Sequence, residues 1–252
     1  MVLVETTVNG AVHELRLSRA PVNALDPSLC EALTAAIGDA LAAGAQGIVL
    51  AGGPKVFSAG LDVPFLLSLG DDQQALLSAW NAFFDAARAL ASCPVPVVAA
   101  IAGHAPAGGC VLALCCDYRV MADGPYRIGL NETQVGLVAP EGIQALLSRV
   151  VGPHRSERLL VSGALIEASE AHAIGLVDEL TGIDEVATRA RVWLDALLQL
   201  PQAPVLETRR IARRDVVAAL QPERIDLTHF VAAWMQPDTQ TGLRAMLARI
   251  GK

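Results

Sequence analysis

IAGHAPAGGCVLALCCDYRVMADGPYRIGLNETQVGLVAPEG, residues 101–142, changes character three times. An apolar run breaks at Gly103 and Pro106, a helix is predicted from Ala107, and the chain returns as a strand over Tyr118–Met121. One carboxylate, Glu132, then follows a short apolar strand into otherwise uncharged surroundings. Strand, helix and strand at these intervals suit a layered α/β architecture rather than an all-α or all-β one. The run Pro94–Cys116 is long and uncharged enough to be counted as a membrane span of roughly 20 residues. It contains Pro94, Pro96, Gly103, Pro106, Gly108 and Gly109, however, which read as strand, turn and helix start inside a core.

Working outward, Val2–Thr7 and Val12–Leu17 are β-rich runs joined at Asn9-Gly10, a dipeptide that accepts positive φ in a tight turn, so an opening hairpin is expected. Asp26 can cap a helix with Pro27 at its first position, and Leu29, Leu33, Ile37 and Leu41 keep helical period as far as Gly44. Gly47–Ala51 reads as a short buried strand and residues 52–61 as a loop of small residues. Leu76, Leu77, Trp80, Phe83, Phe84, Ala87 and Leu90 mark one face of a long amphipathic helix, either core packing or an apolar substrate wall. Further helices are expected over Gly142–Val151, His154–Val161 and Ser169–Ile174. Pro201 and Pro204 punctuate a boundary, beyond which Leu206–Leu220 and Asp226–Ile250 read as helical. Residues 1–198 are thus expected to form an α/β core, and residues 199–252 a helical region that packs on a neighbouring subunit.

Composition narrows the function. The 252 residues are 53% hydrophobic, enough to bury a sizeable core in one domain with an appendage. A net charge of −7 argues against a nucleic-acid surface, which needs clustered Lys and Arg. The basic pairs Arg209-Arg210 and Arg213-Arg214 have helical spacing and read as a solvated face or an oligomer contact. Five cysteines, Cys30, Cys93, Cys110, Cys115 and Cys116, lack metal-type spacing and read as reduced, buried small hydrophobes, which suits the cytoplasm. The opening MVLVETTVNG carries no secretory pattern.

Three local features carry chemistry. Phe57-Ser58-Ala59-Gly60-Leu61-Asp62 is a small-residue turn where backbone can approach a ligand, leaving the Leu61 N–H as a donor. Pro106-Ala107-Gly108-Gly109-Cys110 opens a helix, whose first turn has unpaired N–H groups and a partial positive charge, so Gly108 can aim its N–H at an anionic oxygen. Gly129-Leu130-Asn131-Glu132 sets a carboxylate where desolvation would raise its pKa and make it a better proton acceptor near neutrality. Two donors and one base are the parts needed to form and hold an enolate. Each has a plainer account: Gly108-Gly109 as a tight helix–strand contact, and Glu132 as a structural carboxylate paired with Arg119 or Arg127. His104 reads as a packed imidazole and Asp117 with Arg119 as a structural pair. No phosphate-loop Lys-Ser/Thr follows the glycines, so nucleotide hydrolysis has no support.

Together these segments resemble the crotonase, or enoyl-CoA hydratase/isomerase, superfamily, and within it the mitochondrial-type 3,2-trans-enoyl-CoA isomerases. The resemblance rests on residues 20–25 (Ala-Pro-Val-Asn-Ala-Leu), 56–62, 105–110, 116–123, 128–140 and 175–178 (Gly-Leu-Val-Asp). It implies a spiral of ββα units with a C-terminal helical trimerisation region, an acyl-CoA substrate, no separate cofactor or metal, and a homotrimer or dimer of trimers. It further implies an oxyanion hole from the N–H groups of Leu61 and Gly108, with Ala59, Gly60, Asp62 and Val63 along the CoA and thioester side. Ala24 falls on the nucleotide arm, Asn131 in the acyl pocket, and Glu132 at the isomerase base. Where hydratases of the family carry a second glutamate, this chain has Val111, which favours isomerisation with one base over addition of water with two. Glu141 lies near where some dienoyl isomerases place a second carboxylate and reads as a helix N-terminal charge. Other CoA-thioester chemistry, such as a hydratase, hydrolase or decarboxylase, and a non-catalytic acyl-CoA-binding subunit remain the alternatives.

Overall fold

The computed structural model describes residues 2–249, so the expected helix end at Ile250 lies outside the described residues. The chain opens with the hairpin of β1 (Val4–Asn9) and β2 (Val12–Leu17). Asn9 pairs with Val12, so the turn falls at Gly10-Ala11, one residue later than expected, because Gly10 alone takes the positive φ (63°). Helix α1 (Pro27–Ala42) follows, with the Asp26 carboxylate accepting from the Leu29 N–H at 2.8 Å.

From here the chain repeats one pattern. A buried strand of a six-stranded sheet is followed by a short strand of a second sheet, then by a helix. The first repeat is β3 (Gly47–Ala51), β4 (Lys55–Val56), and α2 (Val63–Ser68) with α3 (Gln73–Ala91). The second is β5 (Val97–Ile101), β6 (Gly103–Pro106) and α4 (Gly108–Leu114). The third is β7 (Tyr118–Ala122), β8 (Arg127–Gly129), a 3-10 turn (Glu132–Val135) and α5 (Glu141–Val151). Then come α6 (Pro153–Ser162), β9 (Ile166–Glu167), α7 (Ala168–Ala173), β10 (Glu179–Thr181) and α8 (Val186–Leu198). The large sheet has the order β1-β2-β3-β5-β7-β10 and the small one β4-β6-β8-β9. All pairings are parallel except β1 with β2 and β8 with β9.

β3 and β5 are buried at every position, as parallel strands covered on both faces must be. Ile48 and Leu50 face the main core, whereas Val49, Ala51, Val98 and Ala100 face α8 through Val186, Ala190 and Leu194. The 52–61 segment is more than a loop, since Lys55 and Val56 pair with Gly103 and His104.

The C-terminal region is all helical: α9 (Gln202–Ala212), α10 (Arg214–Ala219), α11 (Pro222–Ile225), α12 (Leu227–Trp234) and α13 (Pro237–Arg249). Helix α9 begins before Pro204, which its first turn tolerates for want of intrahelical acceptors there. These helices lie against their own chain. Trp80 of α3 packs edge-on against Phe230 (4.5 Å between centroids) and Trp234 (5.9 Å) of α12, and α10 and α11 pack on α5.

Two electrostatic expectations are corrected here. Arg209 and Arg213 do not form a solvated face: Arg213 is buried and Arg209 mostly so, both on Asp117, whereas Arg210 and Arg214 are exposed. Arg209 donates from Nε and Nη2 to the two carboxylate oxygens at 2.8 Å, and Arg213 lies 3.2 Å away. Asp117 therefore does not pair with Arg119, which binds Asp178 at 2.8 Å instead. Their partners come from the C-terminal helices and the 175–178 loop, beyond the reach of any local spacing rule.

Candidate active site

Residues 57–62 are brought to the start of α4 by the small sheet. Leu25 and Leu61 form a parallel bridge in which the Leu25 N–H donates to Gly60 O at 2.8 Å and the Asp62 N–H to Leu25 O at 3.0 Å. In this register the Leu61 N–H points away from Leu25, and it has no hydrogen-bond partner among the described residues. Asn23 and Ser58, both buried, brace the turn from below: Asn23 Nδ2 donates to Phe57 O and Ser58 Oγ to Asn23 O. Gly60 has φ 85°, and a Cβ there would come within 3.2 Å of Gly108 N. The two expected donors are thus neighbours.

At Gly108 the chain enters α4 from Ala107, a non-glycine residue at φ 47° whose N–H donates to Gly129 O at 2.8 Å. Strain of this kind persists only where the surroundings dictate it. Gly108 opens the helix, so its N–H has no intrahelical acceptor. The two accounts of the glycine pair divide between its members. A Cβ on Gly109 would sit 2.5 Å from Ser58 O, a backbone contact only glycine permits. One on Gly108 would meet only side-chain ends, Leu61 Cδ2 at 2.8 Å among them.

The same Gly129 that receives Ala107 pairs with Pro106, and the 3-10 turn carrying Glu132 follows directly. Glu132 Oε2 is shielded from solvent and has no hydrogen-bond partner; neither Arg119 nor Arg127 reaches it. Burial raises its pKa from the ordinary carboxylate value of 4.5 to about 7, while its own N–H acts in the opposite direction. The Glu132 charge is felt by the buried Cys110 thiol in the first turn of α4, which puts carboxyl and helix start in one neighbourhood. Asn131 Oδ1 is a second buried, unpartnered acceptor beside it.

The remaining expected residues are less alike. Ala59 is exposed at the rim and Val63 opens α2 half-buried. Asp62 is engaged in structure: it caps α2 through the Phe65 N–H at 3.0 Å and binds Arg19 at 2.7 Å. Arg19 also reaches Asp26 (3.1 Å) and donates to Ala24 O (2.9 Å), tying 19–26 to the 57–62 turn. Nothing in its sequence setting marked Arg19 for this role. Val111 is buried within α4, and Glu141 stands at the exposed first turn of α5, 3.3 Å from Arg224. His104 is a packed imidazole, its Nδ1 accepting from the Arg127 N–H and its ring set edge-on to Tyr126. Two surface hollows lie elsewhere, one of about 780 Å³ along α6, β9 and α7. They share no residue with this site, and the convergence of two free donors and an unpaired carboxyl is the stronger sign of chemistry. No three His, Cys, Asp or Glu side chains are grouped to hold a metal ion among the described residues, and no described helix is long and apolar enough to cross a membrane.

Residues 7–249 match the family model described as enoyl-CoA hydratase/isomerase. The mouse protein named "Enoyl-CoA delta isomerase 1, mitochondrial" is 34% identical over 99% of this chain and 87% of its own. A Mycobacterium tuberculosis protein named "Probable enoyl-CoA hydratase EchA17" is also 34% identical, over 89% of this chain and 85% of its own. The crystal structure of human mitochondrial delta3-delta2-enoyl-CoA isomerase superposes with a TM-score of 0.92, covering 98% of each chain at 30% identity.

Proposed function

Because the chain belongs to the enoyl-CoA hydratase/isomerase family, we propose that it converts 3-enoyl-CoA to the 2-trans isomer, with Glu132 as its single acid and base. The Leu61 and Gly108 N–H groups receive the thioester oxygen. Glu132 carboxylate removes a proton from C2, the electron pair delocalises through C1 onto that oxygen and through C3 onto C4, and the two N–H donors stabilise the resulting dienolate. Protonated Glu132 then returns the proton to C4, the double bond settles between C2 and C3, and the carboxylate is regenerated. Raising a carboxyl to near 7 suits both halves of this cycle, since the same group must accept and release a proton at neutral pH. Ala59, Gly60 and Val63 line the CoA and thioester side, Ala24 the nucleotide arm, and Asn131 the acyl pocket. The reaction belongs to fatty-acid β-oxidation, and we place the enzyme in the cytoplasm as a homotrimer or dimer of trimers.

The observation that carries this reading is the buried, unpaired Glu132 Oε2 beside the first turn of α4. Hydration is the second reading, favoured by the hydratase-named relative at the same identity. Against it stands Val111, which cannot orient or deprotonate a water. The test is product analysis: 3-hexenoyl-CoA should yield 2-trans-hexenoyl-CoA, and Glu132→Gln should lose activity by several orders of magnitude while still binding substrate. Formation of 3-hydroxyacyl-CoA from a 2-enoyl-CoA at a comparable rate would shift the assignment to a hydratase.

A further inference from the structure

Glu132 rides on a turn of only four residues, Glu132–Val135, and such a turn does not hold a side chain by itself. It is gripped from two sides. On one side Thr133 Oγ1 donates to Leu160 O at 3.2 Å and Gln134 Nε2 to Gly163 O at 2.8 Å, tying it to the end of α6. On the other lies α13, roughly a hundred residues on. Thr239, buried, donates from Oγ1 to Gly136 O at 3.0 Å, and Gly136 is the left-handed residue (φ 79°) that ends the turn. A Cβ on Gly136 would come within 3.3 Å of Thr239 Cα, and one on Gly242 within 3.1 Å of Val135 O. Helix and turn therefore meet backbone to backbone through a glycine on each side.

We propose that α13 positions the base: Thr239 and Gly242 fix the Glu132 turn in the site, so the C-terminal helix is part of the catalytic apparatus of its own chain. The inference rests on the isomerase reading above. The seam leaves Thr133, Gln134 and Gly136 exposed, so what it contributes is the placement of the carboxyl in its apolar surroundings. Cys110 is a titratable neighbour that senses Glu132, and the other titratable or charged side chains on the two elements that grip the turn are His154, Arg155, Glu157 and Arg158 on α6 and Asp238, Arg244 and Arg249 on α13.

The experiment compares full-length wild type, Thr239→Val and Thr239→Ser for turnover of 3-hexenoyl-CoA across pH, with thermal unfolding alongside. Thr239→Val keeps the volume and removes the donor. Its kcat should fall about tenfold with KM within twofold of wild type, a misplacement effect, and the acid limb of its pH profile should move below 7. Thr239→Ser restores the donor and should recover both. Gly242→Ala, which presses a methyl against Val135 O, supplies the same readout should Thr239→Val fail to fold. Wild-type kcat and an unmoved acid limb in the folded variant overturn the inference while leaving the isomerase reading intact. A wild type that does not isomerise 3-hexenoyl-CoA removes both.

Discussion

A carboxyl lifted to about 7 in the folded protein holds its proton over a pH range where the unfolded chain, near 4.5, has lost it. The folded state binds more protons in that window, so Glu132 makes stability fall as pH rises from about 4.5 to about 7, with no further loss above. At about 1.4 kcal/mol per pKa unit the penalty at pH 8 is at most about 3.5 kcal/mol. Glu132→Gln should therefore unfold at a higher temperature than wild type at pH 8 and at nearly the same temperature at pH 5, as scanning calorimetry would show. Turnover has the opposite dependence: kcat/KM should rise with pH through about 7 and level off, because only the carboxylate can take the C2 proton. The sequence named this residue but left it two arginines as partners. That neither reaches it is decided by Arg119 binding Asp178 and Arg127 lying out toward Glu167.

Among the elements, α4 is where local signals were strongest and where the consequence of each glycine differs. Gly109→Ala would drive a methyl into Ser58 O, and the 57–62 turn must move away from the helix. On the proposed mechanism, a shift near 1 Å between the two N–H donors costs about 100-fold in rate, so this variant should lose kcat by one to two orders of magnitude with KM little changed in steady-state assays. Gly142→Ala tests packing alone: its Cβ would lie 1.7 Å from Ala219 O, where α5 meets α10. Overpacking of this kind typically costs about 1–3 kcal/mol, and the loss should appear in denaturant melts. Helices with a capping residue and a clean period, α1 and α3, were legible to within a few residues. The short strands β4, β6 and β9 were not, because runs of two to four residues leave no period to detect, and β8 was legible only as the short apolar strand ahead of Glu132. The C-terminal helices were expected as two and are five, broken where Arg213, Asp226 and Pro237 turn the chain back onto its own core.

At the scale of the molecule, Asp117 joins the C-terminal helices to the α/β layers. Its carboxylate accepts from Arg209 and the Val97 N–H and lies 3.2 Å from Arg213, while the same arginines donate to Cys93 O and Cys115 O. Burial pulls Arg213 below the usual guanidinium range, and Asp117 offsets that in part. Removing the anion would leave the buried Arg213 and the mostly buried Arg209 without it, so Asp117→Ala should cost about 3–5 kcal/mol and lower the melting temperature by roughly 10 °C. What the sequence alone determined is whatever acts between neighbours in the chain: the hairpin, the capped helices, the glycine turns that free Leu61 and Gly108, and a carboxylate in an apolar setting. Only the tertiary structure decided which charges are buried, that α8 covers the second face of the sheet, and that α13 holds the turn of Glu132. The reason is physical: caps, turns and periodicity are satisfied within a few residues, whereas a buried ion pair or a backbone-to-backbone glycine contact depends on partners a hundred residues away that leave no mark on local spacing.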